Sequence, residues 1–194
     1  MSDFAAGKER PVNAEQRKRI SKSLSYVLRH RPDSMGVELK EGGWVAVEAL
    51  LSAYRQQGQS LSLDALQEVV ATNDKQRFEF SEDGERIRAR QGHSAEVDLG
   101  YQPATPPDVL YHGTARHNLD SIFQTGLNKG RRHHVHLSTN QQTMVQVAMR
   151  HGQPVVLAVA AARMLADGHE FFVTGNNVWL TEHVPPQYLS VATP

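Results

Sequence analysis

Residues 75–90 read KQRFEFSEDGERIRAR, and this stretch decides how the first half of the chain folds. Phe78 and Phe80 alternate with charged residues, and the same alternation returns after an aspartate-glycine pair. A period of two is typical of half-buried strands, and an Asp-Gly pair between two such runs favours a tight turn. The stretch therefore predicts a β-hairpin, with Arg77 on the face opposite the two phenylalanines.

Three helical segments precede this hairpin. Asn13 and Gln16 have the spacing of a capping box ahead of the first helix, and Pro32 ends that helix. Trp44 begins a short strand before the second helix, and Ser62 caps the third. Apolar residues at helical spacing predict the buried faces of the first and third helices: Ile20, Leu24, Val27, Leu28, Leu63, Leu66, Val69 and Val70. Three helices followed by a hairpin predict a winged-helix lobe over residues 1–92.

The second half of the chain has a different pattern. Residues 93–108 contain three prolines and little periodicity, which indicates a connection between two lobes. In residues 109–194, the apolar run PVVLAVAA from Pro154 predicts a central strand, and Gly126 ends a short helix. Short apolar stretches such as VLYHG, HVHLS, EFFVT and NVWLT predict further strands. We expect a mixed α/β lobe here, and an α+β fold for the whole chain.

Composition excludes some classes of site and partner. The 194 residues contain no cysteine, which excludes disulfides and thiolate metal sites. The sequence has no apolar run of about 18 residues and no signal-peptide pattern at its start, so we expect no membrane partner and a cytoplasmic location. Lys+Arg equals Asp+Glu at 21 each, so the overall balance indicates no acidic partner.

The distribution of charge is more informative than its sum. Between Lys8 and Arg31 lie eight basic residues and only two acids. Such a local basic field favours a phosphate-bearing ligand, although a solvated helix face would look the same. Arg31 itself fits either a phosphate contact or surface charge.

Seven stretches, taken together and in order, resemble the RNA 2'-phosphotransferase family, also called tRNA 2'-phosphotransferase. They are SKSLSYVLRHRP, KQRFEF, RARQGHS, LYHGT, GRRHHVHLS, RHGQPVVLAV and NVWLTEHVPPQYL, and they extend from Ser21 to Leu189. The resemblance implies a winged-helix lobe and a second lobe similar to ADP-ribosyltransferases, with a cleft for NAD.

The resemblance also implies a reaction. The enzyme would remove an internal 2'-phosphate from RNA by transferring it to NAD, through an ADP-ribosylated 2'-phospho-RNA intermediate. The products would be RNA with a 2'-hydroxyl, ADP-ribose 1'',2''-cyclic phosphate and nicotinamide. The partner would be RNA bearing a 2'-phosphate, as at a tRNA splice junction. NAD would be a co-substrate, no metal would be used, and we expect a monomer.

The family's catalytic set maps onto four positions. LRHRP supplies Arg29 and His30, and KQRF supplies Arg77. The pattern arginine-x-histidine-x-histidine in RHHVH supplies Arg132, whereas Arg131 is one residue off that pattern.

The chemistry gives separate reasons for these residue types. A phosphate monoester carries about −1.5 to −2 charges near pH 7 and is already a nucleophile. Guanidinium groups bind such a dianion by geometry as well as by charge, and they stabilise charge that develops on the phosphoryl oxygens. The second step also moves a proton between two oxygens, and His30 is our candidate for that transfer.

The cofactor residues are expected in the second lobe. In YHGT, we expect His112 and Thr114 to contact ribose or pyrophosphate, and Gly113 to let the nicotinamide amide approach the backbone. Four further residues are expected to face the NAD site: His136 and Ser138 in the cleft, Val178 at nicotinamide and Arg150 at the adenosine half.

Other interpretations remain open at this stage. His134 and His136 share a strand face and could ligate zinc, but no carboxylate or cysteine is placed to complete the set. An ADP-ribosyltransferase could stop after the first step, on a nucleic acid phosphate or on protein. A non-enzymatic regulator with a nucleotide-sensing lobe is the third possibility, although it leaves the arginine motifs unconnected.

Overall fold

The structure is a computed structural model and describes residues 12–193. The chain divides into two compact units between Leu99 and Gly100. Lys8 and Arg10, part of the basic N-terminal stretch, lie outside the described residues. No helix within residues 12–193 has the length and apolar character needed to cross a membrane.

The first unit contains three α-helices and a three-stranded antiparallel sheet of order β1-β3-β2. Its elements are α1 (Ala14–Arg29), β1 (Val45–Ala46), α2 (Val47–Gln56), α3 (Leu63–Ala71), β2 (Phe78–Phe80) and β3 (Arg86–Ala89). Strands β2 and β3 pair with Phe78 opposite Ala89 and Phe80 opposite Ile87. The predicted hairpin is therefore confirmed, and β1 adds a third strand to it.

The helix ends follow the capping residues. The Asn13 side chain accepts a hydrogen bond from the Gln16 backbone at 2.9 Å, and the Gln16 side chain accepts one from the Asn13 backbone at 3.0 Å. The Ser62 hydroxyl accepts from the Ala65 backbone at 3.2 Å and caps α3. These side chains satisfy backbone donors that the first helical turn leaves without partners.

The core of the first unit lies between α1, the other two helices and the hairpin. Leu24, Val27 and Leu28 of α1 are buried, as their spacing predicts, and Ile20 packs partly buried against them. Leu63 was predicted on the buried face of α3, but it is 44% exposed. It is the first residue of α3, and the buried stripe of that helix begins one turn later, at Leu66.

The second unit contains three short helices among small antiparallel sheets. Its elements are β4 (Val109–Ala115), α4 (Leu119–Thr125), β5 (Leu127–Asn128), β6 (Val135–Leu137), α5 (Gln141–Ala148), β7 (Pro154–Ala160), α6 (Ala161–Ala166), β8 (Phe172–Val173), β9 (Trp179–Thr181), β10 (His183–Val184) and β11 (Leu189–Val191). The sheet orders are β11-β7-β4, β6-β9-β8 and β10-β5. With six α-helices in the described range, the chain is a mixed α/β protein.

The apolar run from Pro154 forms β7, which lies between β4 and β11 as predicted for a central strand. Tyr111 of β4 and Ser138 exchange two backbone hydrogen bonds, of 2.8 and 3.0 Å, which link this sheet to the one that contains β6. The core of the second unit includes Leu110, Leu137 and Phe171, from both sheets and the segment before β8.

The segment 93–108 is divided between the two units. His93 and Leu99 are buried in the first unit, and the backbone N–H groups of Ser94 and Ala95 donate to the Arg29 carbonyl at 2.8 and 2.9 Å. In the second unit, the Ala104 backbone donates to the Phe171 carbonyl at 2.8 Å. The N-terminal part of the segment therefore packs in the first unit and the part around Ala104 bonds to the second, although its prolines suggested a linker without tertiary contacts.

Candidate active site

Arg29 and His30 lie at the C-terminal end of α1. Arg29 is the last helical residue, and His30 caps the helix by donating its backbone N–H to the Tyr26 carbonyl at 3.0 Å. The Arg29 guanidinium lies 5.9 Å from the centroid of the Phe78 ring. Cations are favoured at a helix C-terminus because the macrodipole is negative there.

Arg77 comes from the other end of the first unit and meets this helix end. Its backbone N–H donates to the Asn73 side-chain oxygen at 3.1 Å, and its guanidinium reaches the same oxygen at 3.5 Å. Its carbonyl accepts a hydrogen bond from the Arg29 guanidinium at 3.4 Å. The structure thus joins two of the predicted catalytic residues that lie 48 positions apart in the sequence.

Residues 90–95 hold both of these positions. The Arg90 backbone donates to the Arg77 carbonyl at 2.9 Å, and Ser94 and Ala95 donate to the Arg29 carbonyl. The Ser94 hydroxyl also lies 2.9 Å from the Nδ1 atom of His30. Sequence reasoning missed Ser94 as a site residue, although the stretch RARQGHS that contains it was one of the seven that carry the resemblance.

Arg31 has a different environment from its two neighbours. Its guanidinium forms an exposed ion pair with Asp33, with Nη2 and Oδ2 2.9 Å apart. The hydrogen bond from Arg31 holds the pKa of the Asp33 carboxyl below its usual range. Arg31 therefore has an anionic partner at the surface of the protein.

An open groove of about 630 Å³ runs beside α1 in the first unit. Its walls come from α1, from the end of α3 and from the turn before β2. We call it the α1 groove, and its lining includes Lys18, Lys22, Tyr26, His30, Lys75 and Arg77. The groove therefore contains two members of the predicted catalytic set.

In the second unit, His112 is fixed by a hydrogen bond between strands. Its Nδ1 atom donates to the His136 carbonyl at 3.0 Å, because a carbonyl can only accept. Burial lowers the pKa of His112, and the nearby Arg132 and His151 lower it further. The ring is therefore neutral near pH 7, and its Nε2 atom is an acceptor.

Arg132 lies beside the second of these histidines. Its Nη1 atom lies 2.6 Å from Nδ1 of His136, and since a guanidinium only donates, that nitrogen carries no proton. Arg131 is exposed. The structure thus places Arg132 at the histidine that the sequence assigned to the NAD cleft.

Three further predicted residues lie on or beside β4. The Thr114 hydroxyl is buried and accepts from the Asn118 side chain at 3.3 Å, and the Ser138 hydroxyl accepts from the Asn140 backbone at 3.0 Å. Gly113 was predicted to admit the nicotinamide amide. The structure gives a second reason for glycine at this position, because a Cβ atom there would overlap the Met144 carbonyl oxygen of α5.

The last two predicted residues have local partners. Arg150 is exposed just after α5, and its backbone donates to the Val147 carbonyl at 3.2 Å. Val178 is half-buried and closes a turn with Thr174, whose hydroxyl accepts from the Val178 backbone at 3.1 Å. These contacts leave their proposed roles at adenosine and nicotinamide as predictions.

The zinc alternative concerns the surroundings of His134 and His136. Within residues 12–193, no group of three or more histidine, aspartate or glutamate side chains is placed to hold a metal ion. His134 packs edge-on against the rings of Phe172 and Tyr101, with centroids 5.5 and 6.0 Å away. Burial lowers the pKa of His134, as expected for a ring in this aromatic cluster.

The polar groups around His112 are of the kind that a dinucleotide requires. The neutral His112 ring and the Ser138 hydroxyl suit ribose hydroxyl groups, which both donate and accept. The Arg132 guanidinium, which belongs to the predicted catalytic set, suits a phosphate oxygen. His112 and Ser138 therefore offer donors and acceptors of the kind that NAD would need.

Comparisons with known proteins identify the family of this chain. The chain matches, over residues 15–183, the family model described as "RNA 2'-phosphotransferase, Tpt1 / KptA family". Proteins with the name "Probable RNA 2'-phosphotransferase" are similar over most of their length. The one from Acaryochloris marina is 51% identical over 174 residues, which cover 90% of this chain and 96% of its own. The one from Pseudomonas syringae pv. tomato is 50% identical over 180 residues, 92% and 96% of the two chains.

Proposed function

This chain belongs to the Tpt1/KptA family of RNA 2'-phosphotransferases, and we propose that it transfers an internal 2'-phosphate from RNA to NAD. The products would be RNA with a 2'-hydroxyl, ADP-ribose 1'',2''-cyclic phosphate and nicotinamide. In this proposal the first unit is a winged-helix lobe that binds RNA. The second unit is an ADP-ribosyltransferase-like lobe that binds NAD.

The observation that carries the proposal is the meeting of Arg29, His30 and Arg77. Arg29 and Arg77 are joined by a hydrogen bond of 3.4 Å, and His30 and Arg77 line the same groove. The guanidinium groups of Arg29 and Arg77 and the imidazole of His30 are the kinds of group that suit a phosphate dianion, which needs several charge-assisted hydrogen bonds. The first step needs no base, since the phosphate oxygen attacks the ribose carbon as nicotinamide leaves.

The second step needs a proton transfer and charge stabilisation. The ribose 2''-hydroxyl attacks phosphorus, and the RNA 2'-oxygen leaves and takes up a proton. His30 is the residue that we assign to this transfer, and Ser94 orients its ring through Nδ1. Arg29 and Arg77 would stabilise the charge that develops on the phosphoryl oxygens.

Arg132 completes the proposed catalytic set from the second unit. Its contact of 2.6 Å with His136 favours it over Arg131 for this role. Seven residues are proposed to bind NAD: His112, Gly113, Thr114, His136, Ser138, Arg150 and Val178. The neutral state of His112 supports a contact with a ribose hydroxyl rather than with an anion.

The physiological setting is part of the same proposal. We propose a tRNA splice junction as the source of the 2'-phosphate, a monomeric enzyme without a metal, and a cytoplasmic location. Light scattering during size-exclusion chromatography tests the monomer, because a second copy would double the mass of 21.6 kDa.

The test is an incubation of the protein with NAD and an oligonucleotide that carries one internal 2'-phosphate. We expect conversion to 2'-hydroxyl RNA that requires NAD and survives excess EDTA. Arg29→Ala should remove the activity, whereas Arg55→Ala, which changes an exposed arginine of α2, should retain it. A stable ADP-ribosylated RNA as the end product, or activity that chelation abolishes and added metal restores, would contradict the proposal.

A further inference from the structure

Tyr26 is an exposed aromatic residue that the proposed reaction does not use. It lies on α1 and is 50% exposed. Its side chain lines the α1 groove together with His30 and Arg77, and its carbonyl accepts the His30 backbone N–H at 3.0 Å. The exposed ring therefore lies in the same groove as two residues of the proposed phosphate site, where it can contact a bound ligand.

A row of four side chains, two of them lysines, lines the groove along α1. Lys18, Lys22, Tyr26 and His30 follow each other at intervals of four residues, which places them on one face of the helix. Over twelve residues this row extends about 18 Å at the rise of an α-helix. The row therefore leads away from the proposed catalytic residues as a continuous strip.

The charge of this strip is largely uncompensated. Among the described residues, neither Lys18 nor Lys22 forms an ion pair. Arg17, which precedes Lys18, forms an ion pair with Glu68 at 2.8 Å. Asp74 is the one acid among the described residues that line the groove. A positively charged groove with an exposed aromatic ring is the combination by which proteins bind single-stranded nucleic acid.

We propose that Tyr26 stacks on a nucleobase next to the 2'-phosphorylated nucleotide, and that Lys22 and Lys18 bind the phosphodiester backbone beyond it. The inference rests on the proposed function, because it takes the region of His30 and Arg77 as the place of the 2'-phosphate. It adds a substrate requirement: at least one nucleotide beside the modified one must be unpaired, since a paired base has no exposed face to offer the ring.

The first test measures binding and does not depend on turnover. Two single-stranded RNAs are used, each with one 2'-phosphorylated nucleotide. One carries 2-aminopurine on the 5' side of that nucleotide, and the other carries it on the 3' side. Stacking on Tyr26 should quench the fluorescence at one of these positions in the wild type and in Tyr26→Phe. Tyr26→Ala should remove the quenching and weaken binding by about 5-fold to 150-fold, the range for loss of one stacked base.

Two controls separate stacking from a general defect. Among the described residues of the first unit, Leu63 is the other large apolar side chain that is well exposed, and it lies outside the groove. Leu63→Ala should therefore not change RNA binding. An abasic nucleotide at the quenched position should weaken RNA binding by the wild type. It should not weaken RNA binding by Tyr26→Ala any further, because both changes remove the same contact.

The outcomes distinguish this inference from the proposed function. Wild-type protein that binds and quenches but forms no product would overturn the proposed function and leave the stacking site standing. Turnover or binding without quenching at either position would overturn the stacking site alone. Equal losses in Tyr26→Phe and Tyr26→Ala would also overturn it, since the phenyl ring retains the stacking surface.

The lysines give a second, independent readout. If Lys22 binds a backbone phosphate, Lys22→Gln should reduce the slope of log affinity against log salt by about 0.7 for a single strand. Arg55→Gln, on α2 and outside the groove, should leave the slope unchanged. Equal slopes for wild type and Lys22→Gln would remove Lys22 from the RNA path.

Discussion

The Nδ1 atom of His30 lies 2.9 Å from the hydroxyl oxygen of Ser94, a residue 64 positions away in the sequence. The same residue donates its backbone N–H to the Arg29 carbonyl at 2.8 Å. Ser94 therefore contacts both residues at the end of α1. Its hydroxyl sets the direction in which the His30 ring presents Nε2, the atom on the opposite side of the ring.

Ser94→Ala should lower kcat by about 2-fold to 12-fold, the loss expected for one hydrogen bond. Ser94→Thr, which keeps the hydroxyl, should restore kcat. Ser34→Ala removes a nearby exposed hydroxyl, bonded to the Arg31 carbonyl, and serves as the control. A Ser94→Ala variant with the kcat of the wild type would show that the Ser94 hydroxyl does not assist His30.

Arg77→Ala should slow the second chemical step more than the first. In the first step the phosphate is already charged and other arginines hold it, whereas in the second step new charge develops on the phosphoryl oxygens. An arginine at such a transition state contributes roughly 10³-fold. ADP-ribosylated RNA should therefore accumulate on a gel with Arg77→Ala and not with Arg55→Ala. Slow loss of substrate without this species would place Arg77 at binding or at the first step.

Gly113→Ala should destabilise the second unit even without NAD. The new methyl group would overlap the backbone carbonyl oxygen of Met144, which cannot move aside as a side chain can. Overpacking of this kind costs about 1–3 kcal/mol or more, and thermal unfolding of the NAD-free protein measures it. If the Tm is unchanged and only the KM for NAD rises, the glycine is required by NAD and not by the packing of α5.

His112 should make stability depend on pH in the acid range. Burial lowers its pKa in the folded protein, so the folded state resists protonation that the unfolded state accepts. Its contribution is fully present above the unfolded pKa of about 6.5, and it is lost as the pH falls through the lower folded pKa. The lowered pKa of His134 adds a dependence of the same sign.

Chemical denaturation at pH 7.5 and at pH 5.5 tests this dependence. His112→Asn retains a side-chain donor but cannot titrate, so it should lose less stability between the two pH values than the wild type. His117→Asn changes an exposed histidine and should behave like the wild type. An identical loss in wild type and His112→Asn would contradict the assignment.

The sequence allowed good predictions where the signal is local. The capping box at Asn13, the hairpin and the central strand β7 all follow from patterns within a few residues, and all are confirmed. The helix α6 was missed because the apolar run of β7 continues into it without a break in composition. The two-residue strands β5 and β10 are too short to show a period.

The site was less predictable than the fold because its contacts are long-range. Motif matching identified Arg29 and Arg77, but the bond between them depends on the tertiary structure. The packing reason for Gly113 depends on how closely α5 approaches β4, which a single sequence does not show. Ser94 contacts His30 only because residues 90–95 return to the end of α1.

The central claim is that phosphorus moves from RNA to NAD, and one labelling measurement tests it most directly. The substrate is an RNA whose single internal 2'-phosphate carries the only ³²P atom. With NAD and wild-type protein, we expect the label to leave the RNA chain and appear in ADP-ribose cyclic phosphate, while the RNA remains uncleaved. Arg29→Ala should leave the label on the RNA. Release of the label as inorganic phosphate, or label retained in RNA after all NAD is consumed, would contradict the account.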